Sequence, residues 1–223
     1  MGYLDDLKKK AEAERAKHTV DTSALDRNTL LADAACNTAF RYLASMCQQL
    51  NVIQPVSKGV YRFDAKNTFR HLKMSNFRCD ARQKRLRDSE VYDHISLAFD
   101  IKSGQRVTIA KDFPPEMEKL EARLAQCGTR YYSENRNDPQ TGRFMERRYD
   151  FTADFNGAVR ITAEHDTAWI GFNVRNLEGF ETVTVRFPAF EVGNQRLDEL
   201  AKWIVGEPNA FLSGGQDMRR VEI

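Results

Sequence analysis

From about residue 144 to residue 187 the chain alternates between apolar and polar positions. Met145, Tyr149, Phe151, Ala153 and Phe155 share one parity, interrupted only by Arg147, while Glu146, Arg148, Asp150, Thr152 and Asp154 hold the other. A period of two belongs to a strand with one buried face. Asn156-Gly157 then offers the residue pair that tolerates positive φ at both central positions of a type I′ turn. It predicts a hairpin, with Val159, Ile161 and Ala163 returning along the core face. Asp166-Thr167 and Glu178-Gly179 predict two more turns, leading to strands around Ile170, Phe172 and Val174 and around Val183, Val185 and Phe187. Four consecutive strands would meander.

The same period appears earlier. Ile95, Leu97, Phe99 and Ile101 alternate with mostly polar residues, Lys102-Ser103-Gly104-Gln105 predicts a turn, and Val107 and Ile109 continue the face. Helical spacing takes over after Phe113-Pro114-Pro115, where Met117, Leu120 and Leu124 lie on one side and Gly128 ends the run. It returns at Asn194, read as a cap, with a stripe of Leu197, Leu200, Ala201 and Ile204 stopped by Gly206 and Pro208. The polar, glycine-rich tail after Leu212 is expected to be loose. Residues 95–124 and 169–201 thus follow one plan, with Phe99 matching Phe172, Ile109 matching Val185 and Phe113-Pro114 matching Phe187-Pro188. Either a pseudo-twofold duplication or convergence of two hairpin-helix units accounts for it.

At the N-terminus, residues 3–16 carry a thin stripe of Leu4, Leu7 and Ala11, which predicts a helix that docks, pairs with a second chain or frays. After the polar stretch 17–23, Ser23 and Asp26 resemble a capping box, and Cys36, Phe40, Leu43, Cys47 and Leu50 recur at spacings of four and three. Two readings of that seam stay open: a core-facing helix or a dimer contact. Gln54-Pro55 ends the run. Together these elements predict an α+β fold. It comprises two N-terminal helices, a large twisted antiparallel sheet of about seven to nine strands, a helix inserted midway and a C-terminal helix. The division is an arm and linker over 1–23, one domain over 24–212 and a flexible tail over 213–223.

Net charge adds little, because 34 basic side chains nearly balance 32 acidic ones. A polyanion partner must therefore rest on local clusters. Arg78, Arg82, Lys84, Arg85 and Arg87 form one, interrupted by Asp80, Asp88 and Glu90. Arg143, Arg147 and Arg148 form another, near Tyr131, Tyr132, Phe144 and Tyr149. Arginines neutralise phosphates and rings stack on bases, so these are nucleic-acid candidates, set against a solvated loop or an ion-paired sheet face.

For acid–base chemistry the chain offers Asp93-His94 at a strand start and Glu164-His165 at a hairpin tip. His18, His71, His94 and His165 show no metal spacing, and Cys36, Cys47, Cys79 and Cys127 form no C-x-x-C pair, so neither metal nor cofactor is expected. Phosphate loops and serine elbows are absent from the sequence. Without a signal core or an apolar run of about 18 residues, a cytoplasmic protein outside the membrane is expected. The leading expectation is a non-enzymatic interaction or scaffold protein that self-associates as a homo-oligomer. The alternative is a nucleic-acid-associated protein using 78–87 and 143–148; the third is an enzyme or small-ligand binder using His94 or His165.

Overall fold

The computed structural model describes residues 3–222, the side chains of 4, 5 and 13–21 excepted. It opens on one helix, α1 (Tyr3–Ile53), where two were expected. Residues 3–53 contain neither Pro nor Gly, so nothing in the polar stretch 17–23 breaks the backbone hydrogen-bond ladder, and Ser23 lies inside the helix instead of capping it. At 1.5 Å per residue α1 is about 75 Å long. Among the described residues its burial begins at Thr29 and continues through Ala32, Cys36, Ala39, Leu43, Cys47 and Leu50. The heptad-like seam therefore packs on the chain's own sheet, which decides against the dimer contact at this position. Fully burying a leucine such as Leu43 stabilises by about 1.5–3 kcal/mol.

Polar contacts fix the helix at both ends of its buried stretch. Arg87 donates to the Thr29 hydroxyl at 2.9 Å and pairs with Asp166 at 2.5 Å, while the Asn28 amide donates to the Asp166 carbonyl at 2.7 Å. Further along, the Asn51 side chain accepts from the Phe77 N–H at 2.7 Å and donates to the Phe77 carbonyl at 2.9 Å.

A two-stranded ribbon, β1 (Tyr61–Arg62) and β2 (Thr68–Phe69), precedes the main sheet. That sheet contains β3 (Lys73–Leu86), β4 (Ser89–Lys111), β5 (Tyr131–Asn137), β6 (Phe144–Glu164), β7 (Trp169–Arg175), β8 (Glu181–Pro188) and β9 (Gln216–Glu222). Its order is β3-β4-β6-β7-β8-β9, with β5 also paired to β6, and every pairing is antiparallel.

Two expected turns do not form. β4 runs through Ser103-Gly104-Gln105 as a bulge, with Lys102 opposite Asp154 and Arg106 opposite Thr152. β6 runs straight through Asn156-Gly157, with Asp100 opposite Asn156 and Phe99 opposite Gly157. Long-range pairing of β4 with β6 outweighs the local turn preference of both segments. Three strands, not four, thus span 144–188. Residues 95–111 are part of one strand and not a hairpin, so the 95–124 and 169–201 segments do not share a hairpin-helix plan. The tail expected to be loose is strand β9, held on β8 and anchored by Arg186–Asp217 at 2.5 Å and Arg220–Glu178 at 3.0 Å. Its polar composition suits an edge strand.

α2 (Pro114–Cys127) ends at Gly128 in the left-handed conformation, and α3 (Asn194–Ile204) starts on Asn194 with Gly193 as its cap, one residue from the expected position. Both helices and α1 contribute to a single core with the inner face of the sheet. Along the free edge of β6, β5 covers 144–151 and β7 covers 158–164. In the interval between them, the Thr129 hydroxyl donates to the Asp154 carbonyl at 2.7 Å and the Asn176 amide to the Asn156 carbonyl at 2.8 Å, so these backbone groups stay satisfied. No helix among the described residues is long and apolar enough to cross a membrane.

Candidate functional site

Strand alternation sends the other half of each strand to the face opposite the helices. On β6 these are Arg148, Asp150, Thr152, Asp154, Asn156, Ala158, Arg160 and Thr162, none of them buried. One transverse row reads Asp80, Ser96, Arg160, Asn173, Thr184 and Arg219; the next reads Arg78, Ala98, Ala158, Arg175, Thr182 and Val221. This face is uncovered by any element among the described residues. Short side chains at its centre (Ser96, Ala98, Ala158, Gly171) leave a shallow floor with arginines rising around it.

The charges on this floor are not symmetrical in their engagement. Asp100 is ringed by Arg78 at 3.6 Å, Lys102 at 3.3 Å and the Asn76 amide at 3.1 Å. Asp154 accepts from the backbone N–H groups of Ser103 and Gly104, both at 2.9 Å, which also pins the β4 bulge. Asp150 takes the Thr108 hydroxyl and the Arg148 guanidinium, the latter at 3.2 Å. The Thr108 hydrogen bond first, then Arg148 and Arg106, hold the Asp150 carboxyl below its ordinary value. By contrast, Arg82, Arg106, Arg130, Arg160, Arg175 and Arg219 have no ion-pair partner among the described residues. Asp100, Asp150 and Asp154 are occupied with neighbours, Asp80 on the edge strand β3 has no partner among the described residues, and these guanidiniums present free donors.

Each end of the face carries a ring. At one end Arg106, Thr108, Arg130, Tyr132, Arg148 and Asp150 line a cavity of about 600 Å³, with Tyr132 64% exposed. At the other, Trp169 lies under the Arg186 guanidinium at 4.7 Å. Tyr132 is opposite Asp150 and Trp169 opposite Glu164, so at about 3.3 Å per residue the rings are at most about 45 Å apart along β6.

The two sequence clusters are divided by the fold. Arg78 and Arg82 reach the open face and Arg148 lines its cavity. Lys84 pairs with Asp93 at 3.1 Å, Arg87 is tied to α1, and Arg85 lies near the end of β3. Arg143 lies just ahead of β6, and Arg147 points to the helix side, bonded to Glu121 at 3.2 Å and to Asn135 at 2.8 Å. Arg106, Arg130, Arg160, Arg175, Arg186 and Arg219 belong to neither cluster. Polar strand parity signalled Arg106, Arg160, Arg175 and Arg186, whereas Arg130, just ahead of β5, and Arg219, on the wholly exposed β9, carried no such signal.

The acid–base candidates are not assembled into a cleft. His94 holds Asp93 at 2.8 Å on the outer face, whereas His165 is buried in the β6–β7 turn, bonded to the Tyr92 carbonyl at 2.8 Å. Glu164 meets the Thr167 hydroxyl at 3.1 Å and Arg186 at 3.7 Å. Burial pushes the Cys36, Cys79 and Cys127 thiols up to about 12 and that of Cys47 to about 11, which leaves them protonated and poorly nucleophilic at neutral pH. Comparison with protein-family models, curated proteins and solved structures finds no match.

Proposed function

We propose that this is a non-enzymatic binding protein whose open sheet face takes a single-stranded nucleic acid. The observation that carries the reading is the set of unpaired arginines on a floor where Asp100, Asp150 and Asp154 are already engaged, bounded by Tyr132 and Trp169. Guanidiniums neutralise phosphates, and an exposed ring such as Tyr132 stacks on bases of any sequence, while the part-buried Trp169 carries Arg186 over its ring. A duplex fits less well, since major-groove reading needs a helix or a narrow ribbon in place of a broad sheet. The four free thiols, three of them buried, favour a reducing cytoplasmic compartment for this role.

The test is fluorescence anisotropy with a labelled single-stranded oligonucleotide at low and near-physiological salt. Binding that weakens in Arg160→Glu and Arg175→Glu variants supports the reading. Absence of binding even at low salt rejects it.

A second reading, self-association, draws on α1. Before Thr29 none of its described side chains is buried, and Tyr3 and Leu7 are 80% and 45% exposed. A helix with an apolar stripe and no core of its own gains stability from a second copy. Leu4, the remaining large member of the stripe, lies outside the described side chains. Multi-angle light scattering of the full chain decides it: a monomer at high concentration rules the arm out as an oligomerisation element.

A further inference from the structure

We infer that the cavity at the Tyr132 end is a receptor for the terminal phosphate of the strand, so that the face binds nucleic acid by its end and not only along its length. The inference rests on the reading of the open face as a nucleic-acid surface. Three guanidiniums, Arg106, Arg130 and Arg148, converge on one cavity of about 600 Å³, whereas Arg160, Arg175 and Arg219 are spread singly over the rest of the face. An internal phosphodiester carries one negative charge. A terminal monoester carries about −1.5 to −2 at neutral pH and three strong acceptor oxygens, which matches several forked donors in one place.

Arg148 is already paired with Asp150, but Arg106 and Arg130 keep their donors free. Tyr132 stands beside them as a platform for the last base. Beyond the cavity each arginine is matched by a carboxylate. Glu134 lies opposite Arg148 and the Arg136–Glu146 pair follows at 3.7 Å, so a chain continuing past this point would meet balanced charge in place of free guanidiniums.

The experiment compares four oligonucleotides of one sequence by anisotropy, labelled internally: unphosphorylated, 5′-phosphorylated, 3′-phosphorylated and phosphorylated at both ends. We expect one end phosphate to tighten binding about tenfold, and the responsive end gives the polarity of the strand. The gain should vanish in Arg106→Ala and Arg130→Ala, both exposed and outside the core, while Arg219→Ala weakens all four oligonucleotides alike. Equal binding of the four overturns the terminal-phosphate site and leaves the open-face reading standing. If no oligonucleotide binds, the open-face reading falls, and titration with adenosine 5′-monophosphate judges the cavity separately. Binding that disappears in Arg130→Ala keeps the phosphate site, and no binding removes it.

Discussion

The ring of Phe99 lies across the Cα of Gly157, so near that a β-carbon on residue 157 would sit 2.2 Å from two ring atoms. The two residues are directly opposed on β4 and β6, and Phe99 also stacks on Phe77 with ring centroids 5.1 Å apart. Glycine is required here for the close approach of an aromatic ring and not for a turn. Gly157→Ala should therefore destabilise by about 1–3 kcal/mol through overpacking. Urea unfolding measures it, and Phe99→Leu in the same chain should recover part of the stability. A Gly157→Ala chain as stable as the parent would contradict this packing.

Charge reversal separates the two faces of the sheet. Arg160→Glu with Arg175→Glu should leave the melting temperature within a few degrees of the parent. The same pair should reduce the slope of log binding constant against log salt by about 0.7 for each phosphate no longer neutralised. Arg147→Glu should do the opposite, lowering the melting temperature by breaking the ion pair with Glu121 while sparing the salt slope. Identical behaviour of the two sets would count against an oriented binding face.

Tyr132 and Trp169 should each contribute about 1–3 kcal/mol if bases stack on them. Alanine at either position is expected to weaken a long oligonucleotide by roughly 5- to 150-fold. A short oligonucleotide that cannot span both rings should respond to one substitution but not the other. Affinity indifferent to both substitutions would exclude stacking.

Asn176 is 1% exposed at φ 55°, donates to the Asn156 carbonyl at 2.8 Å and accepts from the Gln126 amide at 3.3 Å. Asn176→Ala leaves a part-buried carbonyl without its donor and puts an alanine at positive φ, so we expect a destabilisation of about 1–3 kcal/mol in chemical denaturation. Asn176→Gly relieves only the backbone and should recover a minority of that difference.

Glu181 supplies a pH dependence. It is buried, its Oε1 finds no donor, and burial raises its carboxyl above the ordinary 4.5 despite Arg220 at 3.4 Å. The folded chain then holds this proton to higher pH than the unfolded chain does. Its contribution is fully present below about pH 4.5 and is lost as pH rises through the raised value. Denaturation midpoints measured across this range should show the parent losing stability relative to Glu181→Gln as pH increases. A constant difference would mean that the carboxyl titrates normally.

Periodicity along the chain was enough to predict an α+β fold, an antiparallel sheet with one buried face, the bounds of α2 and the core stripe of α3. These follow from local spacing, which dictates which side chains must turn inward. The destination of Asn156-Gly157 was not settled by its turn preference, although a clue was present. A two-residue turn would set Phe155 beside Ala158 on the core face and send Val159 and Ile161 outward, whereas an unbroken strand keeps Phe155, Val159 and Ile161 inside, as they are. Only the pairing with β4 chooses, because Phe99 lies 58 positions away in the chain yet directly opposite in space. The heptad-like seam of α1 was likewise a stripe without an address until the sheet covered it. The open face is the clearest case. Arg82, Arg106, Arg130, Arg160, Arg175 and Arg219 are scattered along the chain and meet because the strand order brings their outward positions together. Local spacing set the parity of each strand, but the choice of which strands share a face belonged to the folded chain, since hydrogen bonding between distant segments leaves no trace in that spacing.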